Sequence, residues 1–262
     1  MDICKNCLEP IPDSQIYCSM KCWQEHRNPQ LQFSEEPRPI LSTSEWIKAQ
    51  VKVWGSIIGM FFSLFILLLV ITIFIQPDRD FKLYLISSTI ILSIFVFLVL
   101  RYVNDSNEMA KLLKFPTTID TWKLIGMALT IDVFVVKPIH VIIMLYFFPD
   151  IEQQQVVAEL EEMSPISAII TAFSVSFLTP ILEELLFRGF ILGMLLKCYN
   201  EKVAILISAI IFAIVHEPVA IIMAFGGGLI YGWLRVRTGS ILPSTLAHIF
   251  WNSFVSIIVI IY

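Results

Sequence analysis

Two adjacent glutamates and an arginine lie in the middle of the apolar segment 166–196, within a stretch that reads Glu-Glu-Leu-Leu-Phe-Arg. An ionised side chain inside a membrane is costly, so it usually faces a protein interior or a water-filled cavity. Glu184 and Arg188 are four residues apart and can pair on one helix face, whereas Glu183 lies about 100° around the helix. One carboxylate can therefore be held in an ion pair while the other reacts. A purely structural ion-pair network remains the alternative.

Two later apolar segments carry the motifs Phe212-x3-His216 and His248-x3-Asn252. His248 and Asn252 share a helix face because they are four residues apart. At a rise of about 1.5 Å per residue, Glu183 and His216 each lie roughly 20 Å from the near end of their helix, and the second motif lies roughly 12–20 Å from its own. The sequence therefore predicts that three helices bring these polar groups to a similar membrane depth.

These groups have the chemistry of amide-bond hydrolysis. A carboxylate among apolar walls can take a proton from water, and histidines and an amide can stabilise the oxyanion that forms on a carbonyl. Two histidines, one glutamate and water could also bind zinc, although the His-Glu-x-x-His signature is absent. Catalysis by a glutamate acting on water is favoured, and metal-assisted hydrolysis stays open.

The composition places these groups in a membrane protein. The chain has 262 residues, of which 57% are hydrophobic and 15% charged, whereas soluble domains are about half apolar and a quarter charged. We expect an all-α, polytopic bundle of about seven transmembrane helices, with a kink or break near Pro180. No nucleic-acid partner is indicated. The expected spans are 54–75, 81–100, 122–148, 166–196, 203–215, 220–234 and 241–262.

The third expected span contains Asp132, Lys137 and His140. Lys137 and His140 can share a helix face, but Asp132 cannot stack on Lys137 five residues later in an α-helix. Their partners are therefore expected on other helices. Lining of a cavity and structural pairing both remain open. The glycines at 226–228 either allow close helix approach or mark a bend.

Four of the five cysteines lie near the N-terminus as Cys4-x2-Cys7 and Cys18-x3-Cys22. Two closely spaced thiol pairs are typical of a structural zinc site, in which the metal supplies folding energy to a short segment. Two disulfides are the alternative. We expect a zinc-ribbon-like module over 1–27 that docks a protein partner, followed by a linker over 28–50 and by two spans and an interfacial segment over 51–121.

The distribution of cations predicts the orientation. A cytosolic N-terminus satisfies the positive-inside rule and keeps the cysteines reduced, as zinc binding requires. That orientation gives the cytosolic side the cations Arg101, Lys111, Lys114, Lys123, Lys197, Lys202, Arg235 and Arg237.

The ordered motifs Glu183-Glu184-x3-Arg188, Phe212-x3-His216 and His248-x3-Asn252 resemble the CPBP family of intramembrane proteases. This family includes type II CAAX prenyl endopeptidases and bacterial relatives linked to bacteriocin processing or self-immunity. The resemblance covers about residues 160–262 and assigns the protease core to 122–262.

The resemblance implies an intramembrane endopeptidase in which Glu183 activates water. Glu184 and Arg188 would organise the site, and His216, His248 and Asn252 would position water and stabilise the oxyanion. The implied substrate is a membrane protein, a peptide or a lipidated protein within the bilayer. A multi-pass protein of a prokaryotic plasma membrane is expected. A non-enzymatic membrane scaffold or immunity protein is the alternative.

Overall fold

The computed structural model describes residues 2–3, 10–11, 43–75, 81–115, 117–148 and 164–261. The chain divides into two units, Met1–Thr43 and Ser44–Tyr262. In the first unit, strands β1 (Asp2–Ile3) and β2 (Pro10–Ile11) pair antiparallel. Cys4, Cys7, Cys18 and Cys22 lie outside the described residues, and so does most of the expected linker.

The described part of the second unit is helical. Its helices are α1 (Thr43–Ile75), α2 (Phe81–Val103), α3 (Ser106–Leu112), α4 (Ile119–Phe147), α5 (Pro165–Leu195), α6 (Glu201–Ile214), α7 (Ile221–Thr238) and α8 (Leu242–Ile261), with a 3-10 turn over Pro218–Ala220. Because α1 already begins at Thr43, residues 43–50 of the expected linker are helical.

Six helices in the described ranges are long and apolar enough to cross a membrane. They expose large apolar side chains on their outer faces, among them Phe62, Phe74 and Tyr146. Such faces are stable against lipid and costly in water. The chain is an integral membrane protein with a polytopic helix bundle.

The prediction of about seven spans is corrected at α6. This helix has 14 residues and is therefore about 21 Å long, shorter than the hydrocarbon core of about 30 Å. It ends in a tight turn in which the His216 N–H donates to the Ala213 carbonyl at 3.1 Å. Pro218, which has no N–H to continue the helix, follows two residues later.

Helices α6 and α7 form a closely packed antiparallel hairpin. A Cβ atom on Gly228 would lie 2.9 Å from Ala209 Cα, and one on Gly232 would lie 3.1 Å from Ile205 Cγ2. A Cβ atom on Gly226 would likewise overlap the side chain of Val136 in α4. Because α7 is continuous through residues 226–228, these glycines do not mark a bend, and Gly226 and Gly228 allow neighbouring helices to approach closely.

Two helices widen into a π-helical stretch just before a proline. In α4 the π stretch is Asp132–Val136 before Pro138, and in α5 it is Ser174–Leu178 before Pro180. A proline ring clashes with the carbonyl four residues earlier, and the wider turn relieves this clash. The expected break near Pro180 takes this form, and a second π stretch in α5 covers Glu184–Ile191.

The apolar core surrounds the second half of α5. Leu185, Phe187, Ile191 and Leu195 are buried there. They belong to one cluster with Val53 and Ile57 of α1, Val96 and Leu100 of α2, and Phe212 of α6. The core therefore holds α5, and the charged residues on it, in a fixed position.

Candidate active site

Glu184 and Arg188 form a fully buried ion pair on α5. Arg188 Nη1 lies 3.0 Å from Glu184 Oε1, and the two side chains are 1% and 0% exposed. The pairing expected from their spacing is present. The two atoms lack the alignment of a hydrogen bond, and in the described residues Nε and Nη2 of Arg188 also have no hydrogen-bond partner.

Two aromatic rings cover the Arg188 guanidinium. Its central carbon lies 4.3 Å from the centroid of the Phe212 ring and 5.3 Å from that of Tyr231. A cation over a ring face gains about 2 kcal/mol or more when it is desolvated. These rings partly replace the hydrogen bonds that a buried guanidinium loses.

The Glu183 side chain points towards His216 and His248, whereas that of Glu184 points towards Arg188. The side chain of Glu183 is 19% exposed and lies between the two histidines. His216 Nε2 is 3.8 Å from Glu183 Oε1, and His248 Nε2 is 3.5 Å from Glu183 Oε2. The structure thus brings together on three helices the carboxylate and the two histidines that the sequence singled out.

The second nitrogen of each histidine is held by an acceptor. His216 Nδ1 lies 2.6 Å from the Phe212 carbonyl, and His248 Nδ1 lies 3.2 Å from Glu184 Oε1. A carbonyl can only accept, and so does a carboxylate that is ion-paired with arginine. Each Nδ1 therefore carries a proton. In the neutral rings both Nε2 atoms are acceptors that face Glu183.

Asn252 satisfies a carbonyl that the break in α5 leaves free. In the π stretch the Thr179 N–H bonds to the Ser174 carbonyl five residues back. The next bond in this register would join Pro180 to Val175, but proline has no N–H. Asn252 Nδ2 donates to the Val175 carbonyl instead, at 3.0 Å. This bond fixes the amide and uses one of its two hydrogens.

The part of the chain that carries these site residues matches a known protein family. Residues 165–254 match the family model described as "Type II CAAX prenyl endopeptidase Rce1-like". Because of this match, residues 165–254 are referred to below as the Rce1-like segment. The match starts with α5 and includes all six candidate catalytic residues. The resemblance to the CPBP proteases is therefore confirmed.

The chain is also similar to a curated protein from Bacillus subtilis (strain 168). That protein is named "Putative membrane peptidase YdiL" and is 34% identical over 107 residues, which are 40% of this chain and 42% of the relative. The chain thus spans less than half the length of this relative. No solved structure gives a significant match.

A cavity of about 440 Å³ opens beside Glu183 in the Rce1-like segment. Its lining includes Glu183, His216, His248 and Asn252, but not Glu184 or Arg188. Its volume lies in the usual range for small-molecule sites, about 300–1,000 Å³. The six predicted site residues thus separate into four that face the cavity and a buried pair behind them.

Asp132 and Lys137 correct the prediction that their partners lie only on other helices. Lys137 Nζ is 3.3 Å from Asp132 Oδ1. The Lys137 N–H bonds to the Asp132 carbonyl across the π turn, which aligns residues five apart. Lys137 also lies over the Trp251 ring at 4.3 Å and lines the cavity, so it both pairs and faces the site. These two residues lie before the Rce1-like segment.

His140, the third ionisable residue of this span, does not line the cavity. In the described part of the chain its Nδ1 is buried and has no hydrogen-bond partner. It shares no contact with the six candidate catalytic residues among the described interactions.

Sequence reasoning did not single out Tyr231. Its ring stacks on His248, with centroids 4.9 Å apart, and its hydroxyl lies 3.5 Å from Asp132 Oδ2. It also faces Arg188 and lines the cavity. One sequence signal could have indicated it: Tyr231 lies on the helix with three consecutive glycines, and small residues allow neighbouring helices to approach closely.

The donor types near Glu183 are those of a zinc site with two histidines and one glutamate. Within the ranges that the structure describes, however, no three His, Cys, Asp or Glu side chains have the arrangement of a metal site.

Proposed function

We propose that this protein is an intramembrane endopeptidase in which Glu183 activates water. The observation that carries the proposal is the position of Glu183. Its carboxylate lies in a cavity between the Nε2 atoms of His216 and His248, while the neighbouring Glu184 is buried in an ion pair. The match of residues 165–254 to the Rce1-like family model supports the reaction class.

The hydrogen-bond roles around Glu183 favour a bound water. A carboxylate accepts hydrogen bonds, and in the neutral rings the Nε2 atoms of His216 and His248, 3.8 and 3.5 Å from the Glu183 oxygens, are acceptors too. Acceptors in this position require a donor between them, and water supplies two hydrogens. Water held there would donate one hydrogen to Glu183 and the other to a histidine, with its oxygen directed towards the cavity.

Hydrolysis then proceeds by general-base catalysis. Glu183 takes a proton as the water oxygen attacks the peptide carbonyl, which forms a tetrahedral oxyanion. The free amide hydrogen of Asn252 and the Lys137 ammonium, which both line the cavity, can stabilise that charge. The C–N bond breaks, and the proton on Glu183 passes to the leaving amine.

The proposed substrate is a membrane-associated peptide or protein, lipidated or not. The family model is named for endopeptidases that act on prenylated CAAX sequences, and extension to a prenylated chain is part of this proposal. The scaffold or immunity alternative explains the buried pair of Glu184 and Arg188, but it gives no role to the cavity that exposes Glu183.

The N-terminal cysteines are proposed to hold a structural zinc ion through Cys4, Cys7, Cys18 and Cys22, and the module would recruit a protein partner.

The proposed orientation puts the N-terminus in the cytosol of a prokaryotic cell. Contacts between helix ends support part of it. Ser240 Oγ donates to the carbonyls of Leu112 and Lys114. The end of α7, which carries Arg235 and Arg237, therefore lies beside the end of α3, which carries Lys111 and precedes Lys114.

A comparison of membrane fragments tests the proposed function. Cells that carry the wild-type chain, Glu183→Gln or Glu201→Gln are matched for protein level, and their peptides are analysed by mass spectrometry for new C-termini. Glu201 is an exposed glutamate at the start of α6 and controls for loss of charge. Fragments absent only with Glu183→Gln are expected. Identical fragment sets in all three strains, under several growth conditions, would favour the scaffold.

A further inference from the structure

A second cavity, of about 390 Å³, lies apart from the candidate active site. It is lined by residues near the ends of α2, α5 and α7 and by residues of α3. Its polar lining consists of Asn104, Glu108, Lys111, Lys197 and Arg235. Since three membrane-spanning helices end here, the cavity lies at the level where the chain leaves the hydrocarbon.

The charges in this cavity are unbalanced. Lys111, Lys197 and Arg235 face it together with one carboxylate, that of Glu108. None of the three cations forms an ion pair within the described residues. Arg235 Nε is moreover buried and has no hydrogen-bond partner there. A buried guanidinium N–H without an acceptor is costly, so the site favours an anion.

The remaining walls are apolar. Leu100, Val103, Phe190 and Met194 line the same cavity. Gly193 also lines it, and a Cβ atom on this glycine would meet nothing within 4 Å. A ligand that combines an anionic group with a hydrocarbon part fits such walls better than a small hydrated anion does.

We propose that this cavity binds the phosphate group of an anionic membrane lipid. Arg235 and the two lysines would hold the phosphate oxygens through charge-assisted hydrogen bonds. The apolar walls would contact the glycerol and the first part of an acyl chain. Basic pockets between membrane helices recognise lipid headgroups in this way. The proposal does not depend on the peptidase reaction.

Native mass spectrometry of the full-length protein in a non-ionic detergent tests it. Dioctanoyl phosphatidylglycerol is titrated against wild type, Lys197→Gln, Arg235→Gln and Gly193→Leu, with dioctanoyl phosphatidylcholine as the neutral lipid. Lys202→Gln is the matched control, because Lys202 is exposed near the same helix end but does not line the cavity. Melting temperatures without lipid report the folding of each variant.

Wild type is expected to bind phosphatidylglycerol more tightly than phosphatidylcholine. Loss of one cation should weaken binding by about fivefold to tenfold. Gly193→Leu should weaken it without a change in charge, and Lys202→Gln should bind as wild type does. Because Lys197 is exposed, its variant remains informative if Arg235→Gln or Gly193→Leu fails to fold.

Equal weakening by Lys202→Gln would overturn the proposal, since it would indicate diffuse surface charge. Wild-type binding by Lys197→Gln and by folded Gly193→Leu would also overturn it. Inorganic phosphate is titrated in a separate arm and should not displace the lipid at equal concentration. Displacement at equal concentration would identify free phosphate as the ligand and exclude a lipid.

Discussion

His248 connects the two glutamates, with Nδ1 3.2 Å from the buried Glu184 and Nε2 3.5 Å from Glu183. The ionised Glu184 keeps the proton of the neutral ring on Nδ1, and the lone pair of Nε2 is thereby directed at Glu183. The buried ion pair of Glu184 and Arg188 thus sets the hydrogen-bonding role of a residue in the cavity, although neither member of the pair lines it.

Replacement of Arg188 by alanine should reduce stability and activity together. It leaves Glu184 fully buried without its counter-ion, at an expected cost of about 3–5 kcal/mol in the free energy of unfolding. It also disturbs the carboxylate that orients His248. Thermal unfolding in detergent and fragment release measure the two effects. Arg101→Ala is the matched control, because Arg101 is exposed. Unchanged melting of Arg188→Ala would show that the pair is not structural.

The pairing of Lys137 with Asp132 predicts a non-additive double variant. Lys137→Met alone leaves a carboxylate that is 0% exposed without its cation, and about 3–5 kcal/mol of stability should be lost. Lys137→Met combined with Asp132→Asn should recover most of that loss. Fragment release should stay low in the double variant if Lys137 stabilises the oxyanion. A double variant as unstable as Lys137→Met would be inconsistent with the ion pair.

Close packing of α6 and α7 predicts that Gly228→Ala is destabilising. The new Cβ would lie 2.9 Å from the Ala209 backbone, and such overpacking typically costs about 1–3 kcal/mol. Gly59→Ala in α1 is the control, because a Cβ there meets nothing within 4 Å. It should be neutral or gain up to about 1 kcal/mol from the better helix propensity of alanine. Equal melting temperatures for the two variants would argue against the close approach.

The N-terminal module should contain about one zinc ion per chain if its four thiolates form a structural site. Elemental analysis of the purified protein measures this content. Replacement of Cys4 and Cys7 by serine should release the zinc and leave membrane insertion intact. Wild-type protein without zinc would rule out the ribbon and favour the two disulfides.

The sequence predicted those parts of the site that depend on local helical spacing. Glu184 and Arg188 pair as expected, and the histidines of two other helices lie beside Glu183, as their similar distances from the helix ends indicated. The prediction was wrong for Asp132 and Lys137, because it assumed an α-helical turn where Pro138 follows a π turn. The role of Tyr231 depends on tertiary packing, which no local spacing reveals.

The number of spans was overestimated for a related reason. Hydropathy marked residues 203–215 as a span, but His216 and Pro218 end α6 after 14 residues. The polar turn that shortens this helix is also what places His216 beside Glu183. The irregular backbone at the end of α6 is therefore part of the candidate site.

The central claim is that Glu183 is the base that activates water. The most direct measurement is the rate of release of the fragments defined in the cell comparison, in isolated membranes that carry wild type or Glu183→Gln at matched protein level. Melting temperatures are measured in parallel. Glutamine keeps the size of the side chain and removes the basic oxygen, so the rate should fall about 10²- to 10⁴-fold with unchanged melting. Release at the wild-type rate from folded Glu183→Gln would contradict the claim.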